Sequence, residues 1–286
     1  MKRTLFPGLI LFISVLVLAS CGNQNQIRSG DSLEVAFDKA MNFYDRGRYN
    51  DAANAFETVI SVGRGTEVGQ DAQFYLAESY YNGRQFLLAA SEYQRYHVFF
   101  PRSPRARDAQ FLEAYSHYRL SPRYNLDQSD TYRAIELFQL FISRNQNSER
   151  VPEAAGYIDE LRTKLAKKNF EAAEQYMTLA RREARNYRAA AVYYGVTIDR
   201  FPETVYAEKA LANQVRAFTF FADNSVPARQ AERYQDAIDA YETYVQLFPR
   251  GENRSVAEEF YDRAITGLRA AESRDAERAA AAASAS

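Results

Sequence analysis

The chain holds few residues able to do covalent chemistry. Of its 286 residues one is cysteine, Cys21, and two are histidine, His97 and His117. A lone thiol can be acylated or act as a nucleophile. It cannot form an internal disulfide or a thiolate metal cage. Both histidines fall in aromatic helical text, without carboxylates or a second histidine at metal-ligand spacing. The sequence contains neither a Gly-rich phosphate loop nor a nucleophile elbow. These residues argue against an enzyme, and no metal or cofactor is expected.

Cys21 sits where its chemistry has a use. A basic tip (Lys2, Arg3) leads into an apolar stretch from Leu5 to Leu18, then the small residues Ala19 and Ser20. That layout predicts a secretory signal over residues 1–20, too short for a spanning helix. Leu18-Ala19-Ser20-Cys21 resembles the bacterial lipoprotein box. The resemblance implies cleavage before Cys21 and a covalent lipid, such as palmitate, on its sulfur. Each buried methylene adds about 0.8 kcal/mol, so two or three acyl chains hold durably where one does not. Gly22, rather than Asp, leans towards outer-membrane sorting. "GNQNQIRSGDS" then reads as a polar tether over 21–31, with no apolar periodicity to bury.

Composition narrows the rest. A net charge of −1 argues against nucleic acid as a partner. Only 12 Gly and 8 Pro, with Ala throughout, favour helix over sheet. Aromatic residues are many, 21 Tyr and 19 Phe, yet Trp is absent.

Self-similarity is the strongest signal. Five segments carry an aromatic or its substitute, alanine three later and an aromatic seven later. They are Tyr49/Ala52/Phe56, Phe86/Ala89/Tyr93, Thr131/Ala134/Phe138, Tyr187/Ala190/Tyr194 and Tyr234/Ala237/Tyr241. These offsets place the three residues on one helical face, where alanine lets a paired helix approach closely. Twelve residues beyond the alanine, Phe100-Pro101, Phe201-Pro202 and Phe248-Pro249 each predict a helix end. Upstream, Ala40 with Phe43 and Ala77 with Tyr80 mark a preceding helix.

The spacing is similar to the tetratricopeptide repeat, a helix–turn–helix unit of 34 residues. The expected fold is therefore all-α: a tetratricopeptide-like solenoid of about five helical hairpins, each needing its neighbours to bury its apolar face. Additions are expected between paired helices, as in "LSPRYNLDQSD" and "ADNSVPARQAER", or as helix lengthening around residues 153–185. The predicted division is N-terminal repeats 1–3 over 32–145, repeats 4–5 with a closing helix over 146–272, and a frayed Ala/Ser-rich tail over 273–286.

Three stretches carry a family resemblance: "DAQFYLAESYYNGRQFLLAASEYQRYHVFFPRSPRARDAQF" (71–111), "LDQSDTYRAIELFQLFI" (126–142) and "LAKKNFEAAEQYMTLARREARNYRAAAVYYGVTIDRFPETVYAEKAL" (165–211). Together with Cys21 they resemble the BamD family of outer membrane protein assembly factors. The resemblance implies a non-catalytic scaffold on the periplasmic face of the outer membrane. Its partners would be the central barrel-inserting subunit, accessory assembly lipoproteins and unfolded outer-membrane proteins.

In such repeats the first helix of each pair lines the concave surface. That register places Phe37, Met41, Tyr44 and Asp45, then Asp71, Phe74, Glu78, Tyr81 and Asn82, along a groove suited to an extended apolar-aromatic peptide. Alternatively these side chains pack on the next repeat. Between residues 162 and 188 eight Lys/Arg face three acidic residues. Arg181, Arg182, Arg185 and Arg188 form the candidate docking cluster for an acidic partner domain, set against the plainer reading of a solvated face.

Two other scaffolds compete. A periplasmic coordinator of envelope constriction and the Tol–Pal system shares similar repeat text, but Cys21 and the missing N-terminal heptads count against it. A glycan-binding lipoprotein would rely on Trp platforms, which this chain lacks.

Overall fold

A computed structural model describes residues 26–284. Cys21, the expected signal segment and the first part of the tether lie outside that range. Among the described residues the chain is entirely helical. The helices are α1 (Leu33–Asp45), α2 (Tyr49–Val62), α3 (Glu67–Asn82), α4 (Phe86–Phe99), α5 (Ala106–Leu120), α6 (Ser129–Arg144), α7 (Val151–Ala180), α8 (Arg185–Arg200), α9 (Val205–Asp223), α10 (Pro227–Leu247) and α11 (Arg254–Ser284).

The chain divides into two compact units. One comprises residues up to Ser121 together with Ser129–Ala154; the other comprises Pro122–Gln128 and Ala155 onwards. In the first, consecutive helices from α1 to α6 pack on one another and α1 also meets α3. In the second, α8 packs on α9, α9 on α10 and α10 on α11, and α9 also meets α11. Contact between alternate helices is what stacked hairpins require, since each one's apolar face is closed by the next.

The repeat signature becomes packing directly. Ala52, Ala89, Ala134, Ala190 and Ala237 all have zero exposure, as do the aromatics Phe56, Tyr93, Phe138 and Tyr194 four residues on. Ala40 and Ala77, the small residues of the preceding helices, are equally sealed. A larger side chain at any of these positions would force the paired helices apart.

Helix ends follow local chemistry. Phe100, Phe201 and Phe248 each cap a helix with φ between −120° and −138°, because the following proline excludes the α conformation. Where the first repeat lacks proline, Gly63 caps α2, Gly65 turns the chain at φ +79°, and Thr66 caps α3 by accepting from Gly69 N–H at 3.1 Å.

The hairpin tips of the first two repeats are built alike. Gly47 N–H donates to Tyr44 O and Arg48 N–H to Phe43 O; in the second tip Arg84 N–H donates to Tyr81 O and Gln85 N–H to Tyr80 O. Both turns need a left-handed residue. Gly47 supplies it at φ +70°, but Arg84 must adopt φ +61° with a full side chain.

Three sequence expectations are corrected. The tether is not wholly free: Ile27 packs against the core of the first hairpin, and Asp31 pairs with Lys39 at 2.6 Å. The segment "ARQAER", expected between helices, belongs to α10, which Pro227 opens from the first turn where its missing N–H costs nothing. The expected frayed tail continues α11 as far as Ser284, because alanine is the strongest helix former. The lengthened helix around 153–185 is α7, 30 residues long.

Candidate functional site

In the first unit the predicted groove residues come together, and all but Asp45 are half-buried rather than exposed. They meet one another. The Tyr44 hydroxyl donates to Glu78 Oε2 at 3.2 Å and accepts from Asn82 Nδ2 at 2.9 Å. The fully buried Tyr93 donates to the other Glu78 oxygen. Burial and the Glu78 charge raise the pKa of both phenols, so they remain protonated donors at any physiological pH.

Aromatic packing surrounds this polar centre. The Phe37 ring lies 5.8 Å from Phe56 and 6.0 Å from Tyr75, and Tyr44 lies 5.6 Å from Tyr75. Phe74 packs edge-on against Tyr96 at 5.3 Å, with the Arg105 guanidinium 5.2 Å above its ring. That same guanidinium pairs with Asp71 at 2.7 Å. Met41 packs against the core of the first hairpin. Asp45, at the end of α1, is exposed.

Tyr81 stands at the far end of this strip. Its hydroxyl accepts from Arg119 Nη1 at 3.0 Å, and the same guanidinium covers Phe86 at 4.5 Å. The groove register thus locates a continuous aromatic strip. Its polar atoms already answer one another across repeat boundaries, so the strip offers ring faces and edges more than open hydrogen-bonding groups.

The histidines have structural partners. His97 Nε2 lies 2.7 Å from Glu113, a side chain only 5% exposed, and His117 Nδ1 lies 2.9 Å from Asp130. Among the described residues no group of three or more His, Cys, Asp or Glu side chains is arranged to hold a metal ion.

The basic stretch of the second unit separates into two parts. Near its start the cations serve the fold. Arg162 binds the Glu203 carboxylate and the Arg200 carbonyl, holding that carboxyl below the usual carboxylate range. Lys167 lies 4.7 Å above the Tyr124 ring, and Lys168 donates to Leu126 O at 2.7 Å. Towards its end Arg181, Arg182, Arg185 and Arg188 are all exposed around the turn between α7 and α8. Arg185 pairs with Glu183 at 2.6 Å. Arg181 lines a cleft together with Tyr187, Arg216, Phe220 and Phe260.

Sequence reasoning missed Glu78 as the hub of a buried network, and missed Arg216 altogether. The signal for Arg216 was its setting: the one charged residue inside "ALANQVRAFTFFA", a run rich in alanine and phenylalanine. For Glu78 there was none, since a carboxylate at a concave position suits a groove and an interlock equally.

With the geometry in place, comparison with known proteins gives one decisive match. A family model described as "YfiO: Outer membrane lipoprotein" aligns with residues 30–233, well over half of the chain. The chain belongs to the YfiO family of outer membrane lipoproteins. A curated relative, the outer membrane protein assembly factor BamD of Caulobacter vibrioides, is 25% identical over 186 residues. That alignment covers 65% of this YfiO-family chain and 59% of the relative. Solved structures that the chain resembles include the TPR2AB domain of yeast Sti1 in its complex with pHSP90, at 15% identity and TM-score 0.40, covering 81% of this chain and 98% of that one. The P58(IPK) TPR domain matches at 17% identity and TM-score 0.39, covering 84% and 60% of the two chains.

Proposed function

We propose that this chain is a non-catalytic, lipid-anchored scaffold on the periplasmic face of the outer membrane, serving β-barrel assembly. The observation that carries this reading is the family match across residues 30–233. It is joined by the curated relative, itself an outer membrane protein assembly factor. Cys21 is the acylation site in this reading, and the outer membrane is where its lipid inserts. In this reading the acyl chains supply the attachment; no helix among the described residues is long and apolar enough to cross a membrane.

The aromatic strip from Phe37 and Met41 through Tyr44, Phe74 and Glu78 to Tyr81 and Asn82 engages extended segments of unfolded barrel precursors. Ring faces suit such segments, because stacking and apolar contact tolerate varied sequence. The exposed arginines Arg182, Arg185 and Arg188 dock on the central barrel-inserting subunit, with accessory assembly lipoproteins completing the complex. Surface charges of this kind set encounter rate and register more than final affinity.

Affinity purification of the tagged, full-length chain from detergent-solubilised membranes tests the proposal. A large outer-membrane barrel protein should co-elute. Recovery of division proteins or polysaccharide instead would overturn it. Charge reversal of Arg182, Arg185 and Arg188 together should cut recovery of the barrel subunit about fivefold or more at physiological salt. Undiminished recovery removes the docking assignment while leaving the scaffold reading intact.

A further inference from the structure

The second unit contains a cleft of about 380 Å³ that the proposed function does not use. Its walls come from four helices and the turn beside them: Glu174 on α7 and Arg181 in the turn just past its end, Tyr187 at the start of α8, Arg216 and Phe220 on α9, and Phe260 on α11. The aromatic side is rigidly built. Phe220 packs edge-on against Phe260 at 5.2 Å and lies 5.3 Å from Tyr187. The Phe260 carbonyl accepts from the buried Thr219 hydroxyl at 3.2 Å, which pins α11 to α9 at this point.

The polar side is incomplete. Arg216 Nε is buried and has no hydrogen-bond partner, and neither Arg216 nor Arg181 belongs to an ion pair among the described residues. A guanidinium N–H buried without an acceptor costs more than most unsatisfied groups, because it carries charge. The one carboxylate in the wall does not answer it: Glu174 Oε1 accepts from the Tyr194 hydroxyl at 2.6 Å. Arg263, nearby over the Phe220 ring at 5.2 Å, is paired with Asp223 at 2.7 Å. Two cations against one engaged carboxylate leave the cleft with excess positive charge.

We propose that this cleft binds an acidic side chain of an extended peptide, its carboxylate seated on Arg216 and Arg181 and its neighbouring apolar residue against Phe220, Phe260 and Tyr187. Arg216 lines the cleft and its terminal nitrogens make no hydrogen bond among the described residues. Its planar guanidinium therefore offers the N–H groups that a carboxylate matches, while the buried Nε keeps the charge unanswered from within the fold. The exposed Arg182, Arg185 and Arg188 extend positive charge beyond the cleft. The surroundings therefore suit a segment bearing several acidic residues rather than a single chain terminus. This site is separate from the aromatic strip of the first unit. It does not rest on the assembly reading, since it would hold for any scaffold built on these residues.

The test uses the soluble chain from residue 22 onwards and two fluorescein-labelled, amidated peptides of identical length. One alternates Phe and Glu; the other alternates Phe and Gln. Fluorescence anisotropy should show saturable binding of the Glu peptide, with the Gln peptide weaker by about tenfold or more. Arg216→Gln and Arg181→Gln should each weaken the Glu peptide about fivefold or more, with an unchanged circular dichroism spectrum. Arg216→Lys should fail to restore binding, because an ammonium cannot reproduce the fork. Should Arg216→Gln not fold, the exposed Arg181→Gln decides alone. Equal affinity for the two peptides, no binding of either, or wild-type affinity in the folded arginine variants would each overturn the proposal. So would loss of binding confined to Tyr81→Ala in the first unit.

Discussion

Tyr44 on α1 and Glu78 on α3 are joined by a hydrogen bond of 3.2 Å across the boundary between the first and second hairpins. Glu78 also receives the buried Tyr93 hydroxyl of α4, so one carboxylate fastens three helices. Removing it leaves two phenols in search of acceptors. Glu78→Ala should destabilise the first unit by about 2–3 kcal/mol, and Tyr44→Phe by about 1 kcal/mol, by urea denaturation. The double variant should cost less than the sum, because both changes break the same bond. Additive losses would show that the bond does not form in solution.

The two like-built hairpin tips offer a stabilising substitution. Arg84 occupies at φ +61° the position that Gly47 occupies at φ +70°. Relief of the Cβ clash outweighs the added freedom of the unfolded chain, so Arg84→Gly should raise stability by up to about 1 kcal/mol. The reverse change, Gly47→Arg, should lower it. A thermal melt of each variant suffices, and a fall in Tm for Arg84→Gly would contradict the turn geometry.

Close approach at Gly267 makes the opposite case. A Cβ built on Gly267 would lie 2.3 Å from the Tyr234 ring, whose residue is 6% exposed and whose hydroxyl donates to Asp223 at 2.7 Å. The ring is held at both ends and has nowhere to go. Gly267→Ala should therefore destabilise the packing of α11 on α10 by about 1–3 kcal/mol despite its better helix propensity. Adding Tyr234→Leu should recover part of that loss; no recovery would place the strain elsewhere.

Glu208 makes the second unit sensitive to acid. Burial alone would raise its pKa, but the Asn253 N–H at 2.7 Å and the Tyr244 hydroxyl at 2.9 Å, with the Asn253 side chain, together hold it below the ordinary 4.5. A carboxyl depressed on folding contributes stability above its unfolded pKa and loses it as pH falls through the folded value. The advantage of wild type over Glu208→Gln should thus be full above about pH 5 and vanish towards about pH 3. Parallel pH titrations of Tm for the two proteins would reveal it, and a constant gap would refute it.

How far the sequence anticipates these results depends on the kind of residue. Anchor alanines and Phe-Pro exits are legible because small side chains and imino acids constrain the backbone locally, and all five alanines are sealed in the structure. The aromatics Phe37, Tyr44, Phe74 and Tyr81 are legible as a set but not in role. Phe37, Tyr44 and Phe74 are half-buried both when lining a groove and when locking one repeat to the next, and sequence spacing is identical for the two. Arg216 is illegible as a site because its value lies in a missing partner, which only three-dimensional neighbours reveal. The helical Ala-rich end was masked by its low complexity, although alanine propensity pointed the right way.

Residues 122–128 pack in the second unit although the chain on both sides of them belongs to the first. Lys168 and Lys167 hold that excursion through Leu126 and Tyr124. The polypeptide therefore passes between the two bodies three times, and no single scission divides them. A fragment ending at residue 154 keeps a seven-residue loop that packs in the other unit, stripped of its partners, and one beginning at 155 lacks that loop against α7. Dissecting this protein into independently working halves calls for transplanting or replacing that excursion, not merely for choosing a terminus.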